Sequence, residues 1–487
     1  MENQEAVQLH ARVSVHHPKL AMVSMMLGAF VGMFSETSLN IALPQLMAQL
    51  HVNQSTVQWL VTGYMLVIGV VLPLSSLLTK WFTTRQIVIF GLCAFTFGAI
   101  VSAIGNGFLM VLIGRMIQGI GTGLILPLMF TVALLIFPPQ KIGAVMGMCA
   151  LVIMFAPAIG PTLTGLILGI SSWRWVFWSF VPFLLIALIF AISSLENISE
   201  LSKPHIDVLS ILASAVGFAG LIAGVSFASD SGWLSARVLC CIIIGIIALI
   251  FYGYRQLHIA QPILNLRVFR HLNFRIGASI VMLDFGIILS AMYLLPQYIQ
   301  NGMLLPVALT GIIMLPGGII NAIVSASAGR MYDNLGAKFP VRIGMLIALI
   351  GALMLAFVSI HTAIWYIILA HVILMIGAPL AMSPSQTSAL NSLTGRESAD
   401  GSTILNTLQQ IVGALATALA TSFLEMGRHA ITGSRAVTFT NGVHYGFYFT
   451  IALVILGLIL SMNITDDSHT NNKIIALTCF HRWGLLK

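Results

Sequence analysis

The chain has 487 residues, of which 58% are hydrophobic and only 7% are charged. Because a soluble domain usually carries about 25% charged residues, no water-soluble fold of this size agrees with the composition. The net charge of +8 is not gathered into one basic patch, which argues against nucleic acid as a partner. The composition therefore predicts a multi-pass membrane protein whose main surroundings are the lipid bilayer.

Fourteen apolar segments are long enough to cross a bilayer as helices, which takes about 20 residues each. They predict an all-α membrane protein with spans at 20–44, 57–79, 86–105, 108–137, 141–170, 175–194, 207–228, 237–257, 274–299, 306–328, 340–360, 363–390, 401–424 and 443–463. The loops between the spans are mostly short, so no soluble domain is expected.

The basic loop residues predict the orientation of the chain. With the N-terminus in the cytoplasm, seventeen of the 22 Lys and Arg residues fall on the cytoplasmic side and four on the outer side, while Arg115 stays inside the membrane. Both termini are therefore expected in the cytoplasm, as an N-terminal segment 1–19 and a tail 464–487.

A weak internal repeat predicts two related halves. The loop after the tenth span reads GRMYDNLGAK at 329–338, and the loop after the second span, 75–85, ends in a similar basic turn. An offset of eight helices agrees with two six-helix halves separated by two inserted helices, and transporters commonly contain such repeats. We expect the halves at 20–194 and 258–463, with a linker carrying two extra transmembrane helices at 195–257.

Several short motifs lie on the predicted helices. They read SETSLNIALP at 35–44, RMIQGIGTG at 115–123, APAIGPTLTG at 156–165, WRWVF at 173–177 and NTLQQ at 406–410. Together they resemble the major facilitator superfamily, and within it the fourteen-helix drug:proton antiporters of the EmrB/QacA-like multidrug efflux branch. Ser35 stands where that branch usually has Asp, and Glu36 follows one residue later. Lys80 stands where the branch has Asp in the loop after the second helix.

The resemblance implies an antiporter that exports amphipathic drugs or antibiotics by alternating access, driven by the proton gradient and without a cofactor. It also implies two gating motifs, formed by Pro157, Gly160, Pro161 and Gly165 in helix 5 and by Gly329, Arg330, Asp333 and Gly336 after helix 10. Proline removes backbone hydrogen bonds and glycine permits close helix contact, which suits a seal between helices. A simple packing kink and a solvated turn are the alternatives.

Two acidic residues, Glu36 and Asp284, are predicted deep in the membrane, where an ionised carboxylate costs several kcal/mol. Glu36 and Arg115 both lie seven or eight residues from the outer ends of their helices, roughly 12 Å below that surface at 1.5 Å per residue. We expect them to pair, directly or through water, and to carry proton coupling, with a purely structural ion pair as the alternative. Asp284 is a candidate second proton site, a counter-ion for cationic substrates, or a polar residue that only lines the cavity.

Other polar residues in the predicted spans are candidates for the substrate cavity because lipid would not tolerate them. They are Asn40, Gln58, Gln118, His371, Asn406, Gln409 and Gln410. Their positions on the helices do not reveal which face each occupies.

The function expected from the sequence is export of small amphipathic molecules from a bacterial cell through its cytoplasmic membrane by a functional monomer. A transporter of one dedicated metabolite, either an exporter or a proton symporter, stays open as the alternative. An enzyme is not expected, because no catalytic cluster is visible and the five cysteines have no metal-ligand spacing. ATP drive is not expected either, because the chain lacks a Walker-type phosphate loop.

Overall fold

The computed structural model describes residues 16–137, 139–197, 207–259, 262, 264–393 and 396–464. Within these residues it contains fourteen α-helices: α1 (Pro18–Leu50), α2 (Gln54–Trp81), α3 (Thr84–Ile104), α4 (Phe108–Ile136), α5 (Pro139–Ile170), α6 (Arg174–Ser194), α7 (Val208–Ser231), α8 (Ala236–His258), α9 (Leu272–Gln297), α10 (Val307–Leu335), α11 (Lys338–Ala356), α12 (Ile364–Asn391), α13 (Arg396–His429) and α14 (Arg435–Ser461). Most of the predicted segment 1–19 and of the predicted tail 464–487 lies outside the described residues.

Thirteen of these helices are long and apolar enough to cross a membrane, and α5 adds the apolar run Phe155–Ile170. The protein is therefore an all-α, multi-pass membrane protein, as the composition predicts. Odd-numbered helices end on the side that the basic residues predict to face away from the cytoplasm, and we call this the outer side.

Side-chain caps define several helix starts. The Asn53 side chain accepts a hydrogen bond from the Thr56 amide at 2.8 Å and begins α2. Thr83 and Gln86 form a reciprocal capping box that begins α3. Gly336 ends α10 with φ of +74°, a backbone conformation that side chains with a Cβ rarely adopt. Residues of the polar loops thus fix the starts of α2 and α3 and the end of α10.

The first six helices and the last six repeat one packing pattern. In the first half, α4 packs against α1, α2 and α3, while α6 packs against α1 and α3, and α5 against α1. Every one of these pairings recurs eight helices later, among α9–α14. The halves meet where α2 packs against α13 and where α5 packs against α10, two contacts that are counterparts of each other. The fold consists of two related six-helix halves, and their exact residue limits stay a prediction.

The inserted helices α7 and α8 form a hairpin beside this pair of halves. α7 packs against both α2 and α13, and α8 packs along α7. At the start of the hairpin, Arg255 Nε and Nη2 donate to the Asp207 carboxylate at 2.8–3.0 Å. These hydrogen bonds hold the pKa of Asp207 at about 2, below its usual value. The hairpin is thus held at its base by an ion pair between the two helices.

Candidate functional site: a buried polar centre

Glu36 is enclosed in the middle of the molecule. It lies halfway along α1 and its side chain is only 2% exposed. Neither carboxylate oxygen has a hydrogen-bond partner among the described residues. The Gln410 side chain of α13 faces it as a hydrogen-bonding neighbour outside the geometry of a formed bond, and the charge of Arg115 of α4 acts on it through space. The carboxyl group therefore lies near the interface of the halves, where it is free to exchange partners.

Arg115 is fully buried and donates four hydrogen bonds. Nε donates to the Leu60 carbonyl at 3.0 Å, and Nη2 to the Ser35 carbonyl at 3.3 Å. Nη1 donates to Ser35 Oγ at 2.5 Å and to Gln118 Oε1 at 2.9 Å. Its acceptors come from α1, α2 and α4, so the guanidinium joins three helices of the first half.

The Tyr64 ring packs against one face of the Arg115 guanidinium. Arg115 Cζ lies 4.0 Å from the ring centroid, within the range of a cation–π interaction. The Tyr64 hydroxyl donates to the Gly32 carbonyl at 2.8 Å and is hydrogen-bonded to Thr122 Oγ1 at 2.7 Å. These bonds fix the ring, and Tyr64 is a site residue that the sequence motifs do not reveal.

The expected direct pair between Glu36 and Arg115 does not form. Successive residues of an α-helix point about 100° apart, so a matched depth does not bring both side chains to the same face. Ser35 faces α4 and takes the contacts with Arg115, whereas the Glu36 carboxylate is left without a hydrogen bond. The two charges interact through space, and Ser35 occupies the contact position.

Four predicted cavity residues place unpartnered polar atoms in the interior. Asn40, Gln58, Gln409 and Gln410 are all buried, and each has an oxygen or nitrogen with no hydrogen-bond partner in the part of the chain that the structure describes. They come from α1, α2 and α13, and thus from both halves. Buried polar atoms without partners are costly, so these atoms are available to a polar ligand. Asn406, one turn before Gln410, is only half-buried.

Gln118, a predicted cavity residue, is hydrogen-bonded within the first half. Besides accepting from Arg115, it donates from Nε2 to Ser102 Oγ at 3.2 Å. Both of its polar groups are therefore engaged within the first half, and Gln118 anchors Arg115.

Asp284 and His371 are isolated in the second half. Asp284 of α9 is completely buried, and neither of its carboxylate oxygens has a partner among the described side chains. His371 of α12 is also buried, and its ring lies directly against Gly317 of α10 with both nitrogens unpartnered. Two titratable groups without hydrogen-bond partners among the described residues therefore lie in the second half, across the interface from Glu36.

The helix 5 motif closes α5 against α1. Thr37 Oγ1 of α1 donates to the Pro157 carbonyl at 3.2 Å. This contact also depends on Gly160, because a Cβ there would overlap Thr37 Oγ1. The proline removes a backbone hydrogen bond and the glycine opens room, so α1 and α5 approach closely.

The same motif closes α5 against α10 of the other half. A Cβ added to Gly311 would lie 2.9 Å from the carbonyl oxygens of Pro161 and Thr162, and one on Gly165 would lie 3.1 Å from Gly311 Cα. Thr162 Oγ1 donates to the Gly311 carbonyl at 2.9 Å. The predicted motif residues therefore line a tight contact between the halves near the outer side.

Two further hydrogen bonds join the halves at the outer side. Gln54 Nε2 of α2 donates to Tyr293 Oη of α9 at 2.6 Å, and Gln300 Nε2 donates to the Ile41 carbonyl at 3.2 Å. Gln300 belongs to a π-helical turn, Tyr298–Gly302, that continues α9. Such turns are frequent at functional sites. The outer ends of the halves are closed against each other.

The second predicted gating motif ends α10 at the end opposite to the outer side. Arg330 is exposed, and no atom lies within 4 Å of a Cβ added to Gly329. Asn391 Nδ2 of α12 donates to Tyr332 Oη at 3.2 Å and holds the end of α10. The side chain of Asp333 lies outside what the structure describes.

No cluster of three or more His, Cys, Asp or Glu that could hold a metal occurs in the described ranges. The polar centre instead consists of two lone carboxyl groups, one buried arginine and several amides. Membrane-spanning helices in two related halves, with unpartnered polar groups between them, define the class of secondary transporters. The family model described as Major Facilitator Superfamily matches residues 25–417, and the chain belongs to that family.

Relatives with similar sequences cover almost the whole chain. The lincomycin resistance protein LmrB of Bacillus subtilis is 44% identical, over 90% of this chain and 94% of its own length. The Listeria monocytogenes protein of the same name is 41% identical, over 91% of this chain and 96% of its own length. The crystal structure of a POT family transporter in complex with 5-aminolevulinic acid has a TM-score of 0.68 and 15% identity, covering 93% of this chain and 97% of that one. That likeness shows the shared fold.

Proposed function

We propose that this protein exports amphipathic drugs, with lincomycin as the first candidate, across a bacterial cytoplasmic membrane in exchange for protons. The names of the two relatives that are 44% and 41% identical support the drug class. We propose the monomer as the working unit, both termini in the cytoplasm, and the proton gradient as the sole energy source, without enzymatic activity.

The observation that carries the proposal is the unpartnered Glu36 carboxyl group. A carboxyl group enclosed by protein in a membrane is stable only when it is neutral or paired. A proton and a cationic group of a drug can each satisfy it, but they cannot do so together. Because the proton and the drug compete for one carboxylate, the transport of one is coupled to the transport of the other.

The proposed cycle follows from the closed outer side. In this arrangement Glu36 releases its proton to the cytoplasm and accepts the drug, which the amides of α1, α2 and α13 orient. The halves then rock, the outer contacts open, and protonation from outside displaces the drug. Asp284 supplies a second carboxyl group from the other half, for a further proton or for the drug's positive charge.

The test uses inside-out membrane vesicles with an imposed proton gradient. Wild-type vesicles should accumulate lincomycin and release protons when the drug is added. Glu36→Gln should reduce both signals to the level of vesicles without the protein, because an amide cannot exchange a proton. The control is Glu196→Gln, a partly exposed acid just after the end of α6 that contacts His16 and is far in sequence from the site; it should transport normally.

Full gradient-driven transport by Glu36→Gln would contradict the coupling role. If lincomycin and cationic dyes never move while one metabolite does, the alternative of a dedicated metabolite transporter replaces drug export. A matching experiment with Asp284→Asn decides whether the second carboxyl group is needed for every substrate or only for cationic ones.

A further inference from the structure

Arg115 carries a buried positive charge that no contacting group neutralises. Its four hydrogen-bond acceptors are two backbone carbonyls, the Ser35 hydroxyl and the Gln118 amide. The Tyr64 ring beneath it is also uncharged. No ion pair to Arg115 occurs among the side chains that the structure describes, although a guanidinium pairs most strongly with carboxylates.

Ser35 is central to this arrangement. Its backbone carbonyl and its hydroxyl both accept from the guanidinium, and the hydroxyl in turn donates to Gln118 Oε1 at 3.3 Å. A carboxylate at this position would form a direct ion pair. A hydroxyl holds the guanidinium in place but leaves its charge intact.

We propose that Ser35 is a positioning residue, which fixes Arg115 without neutralising it so that the whole charge acts on Glu36, the next residue of α1. This inference rests on the proposed function, because it concerns how readily Glu36 exchanges its proton. A guanidinium already bound to a carboxylate would attract a second one far less, since the field of an ion pair falls off faster than that of a single charge. Glu36 therefore exchanges its proton without having to break an ion pair.

Few other charged or titratable groups surround Glu36. Arg115 of α4 acts on it electrostatically, and α13 contributes the neutral Gln410. The neighbouring helices α5 and α6 carry Lys141 and Arg174 at their ends, far from the midpoint of α1, and α9 carries Asp284 in the other half. Arg115 is therefore the charged group that acts on Glu36 through space.

The experiment compares two variants of nearly equal shape, Ser35→Asp and Ser35→Asn, through the pH dependence of lincomycin-driven proton release from vesicles. Ser35→Asp pairs with Arg115 and places a negative charge beside Glu36, so Glu36 keeps its proton to higher pH. We expect the half-maximal pH to rise by about one unit, a tenfold change in proton affinity. Ser35→Asn keeps an uncharged acceptor and should leave the profile within a few tenths of a unit of wild type.

A second isosteric change tests the same charge from another helix. Gln118→Glu brings a carboxylate to Arg115 Nη1 from α4 and should shift the profile in the same direction, so the test stands even when Ser35→Asp fails to fold. Unshifted profiles in the carboxylate variants, or equal shifts in Ser35→Asn, overturn the inference while drug–proton exchange itself survives. Absence of drug-driven proton release in the wild type would instead refute the proposed function.

Discussion

At the scale of single residues, the interior holds two kinds of polar group. Arg115 donates hydrogen bonds to protein groups, whereas the side chains of Glu36, Asp284 and His371 have no hydrogen-bond partner among the described residues. Buried groups without partners are rare in proteins, because leaving one unpaired costs about 1–3 kcal/mol. Their presence on both sides of the interface agrees with groups that find partners in a ligand or in another conformation.

His371 gives a direct test of this distinction. His371→Phe replaces an unpartnered ring by an apolar ring of similar shape, so we expect a gain of about 1–3 kcal/mol in stability and a loss of drug transport. The measurements are the thermal midpoint of the purified protein and uptake into vesicles.

The matched control for that change is His444, whose Nε2 is hydrogen-bonded to the Val358 carbonyl at 2.5 Å. His444→Phe removes a made hydrogen bond and should lower the midpoint. A destabilised His371→Phe with normal transport would show that the ring is an ordinary packed side chain.

At the scale of helices, glycine and proline decide how closely the halves approach. Gly311 has backbone atoms of α5 on its open side, and these cannot move aside as a flexible side chain can. The absence of a Cβ atom at Gly311 is therefore one of the features that set the α5–α10 contact.

Gly311→Ala should separate α5 from α10, because the added methyl group overlaps the carbonyls of Pro161 and Thr162. We expect a loss of about 1–3 kcal/mol, typical of overpacking, and faster passive leak of protons through reconstituted vesicles. Gly253→Ala on α8 is the control, since no atom lies within 4 Å of its Cβ, and it should leave both properties unchanged. An unchanged leak in Gly311→Ala would argue that this contact is not a seal.

The sequence predicted helices well and side-chain partners poorly. Runs of apolar residues and loop caps such as Asn53 are local signals. The number of spans and the offset of eight helices between the repeats can therefore be read directly from the sequence. Contacts between helices are not local. Depth alone predicts a Glu36–Arg115 pair, but a step of one residue around α1 gives the contact with Arg115 to Ser35 instead. Tyr64, Tyr293 and Gln300 were missed because no motif marks which face of a helix meets another.

At the scale of the whole molecule, the described contacts between the halves include a cluster near the outer side. Gln54–Tyr293, Gln300–Ile41 and the α5–α10 contact lie at that end. Alternating access requires these contacts to part once in each cycle.

A disulfide across the outer contact tests this requirement. A Cβ added to Gly169 would lie 2.8 Å from the Ala308 Cβ, so a shift of about 1 Å brings Gly169→Cys and Ala308→Cys to disulfide geometry. The oxidised double variant should lose transport almost completely and regain it on reduction, while each single variant stays active. Undiminished uptake by fully cross-linked protein would mean that the outer ends need not separate.

The inserted hairpin makes the two contacts between the halves unequal. α7 lies over the α2–α13 contact, while in the described part of the chain no inserted helix lies over its counterpart, α5–α10. Lipid can therefore approach the line between the halves more openly on one flank than on the other. The molecule therefore presents two different flanks to the bilayer, so it has a direction within the plane of the membrane as well as across it.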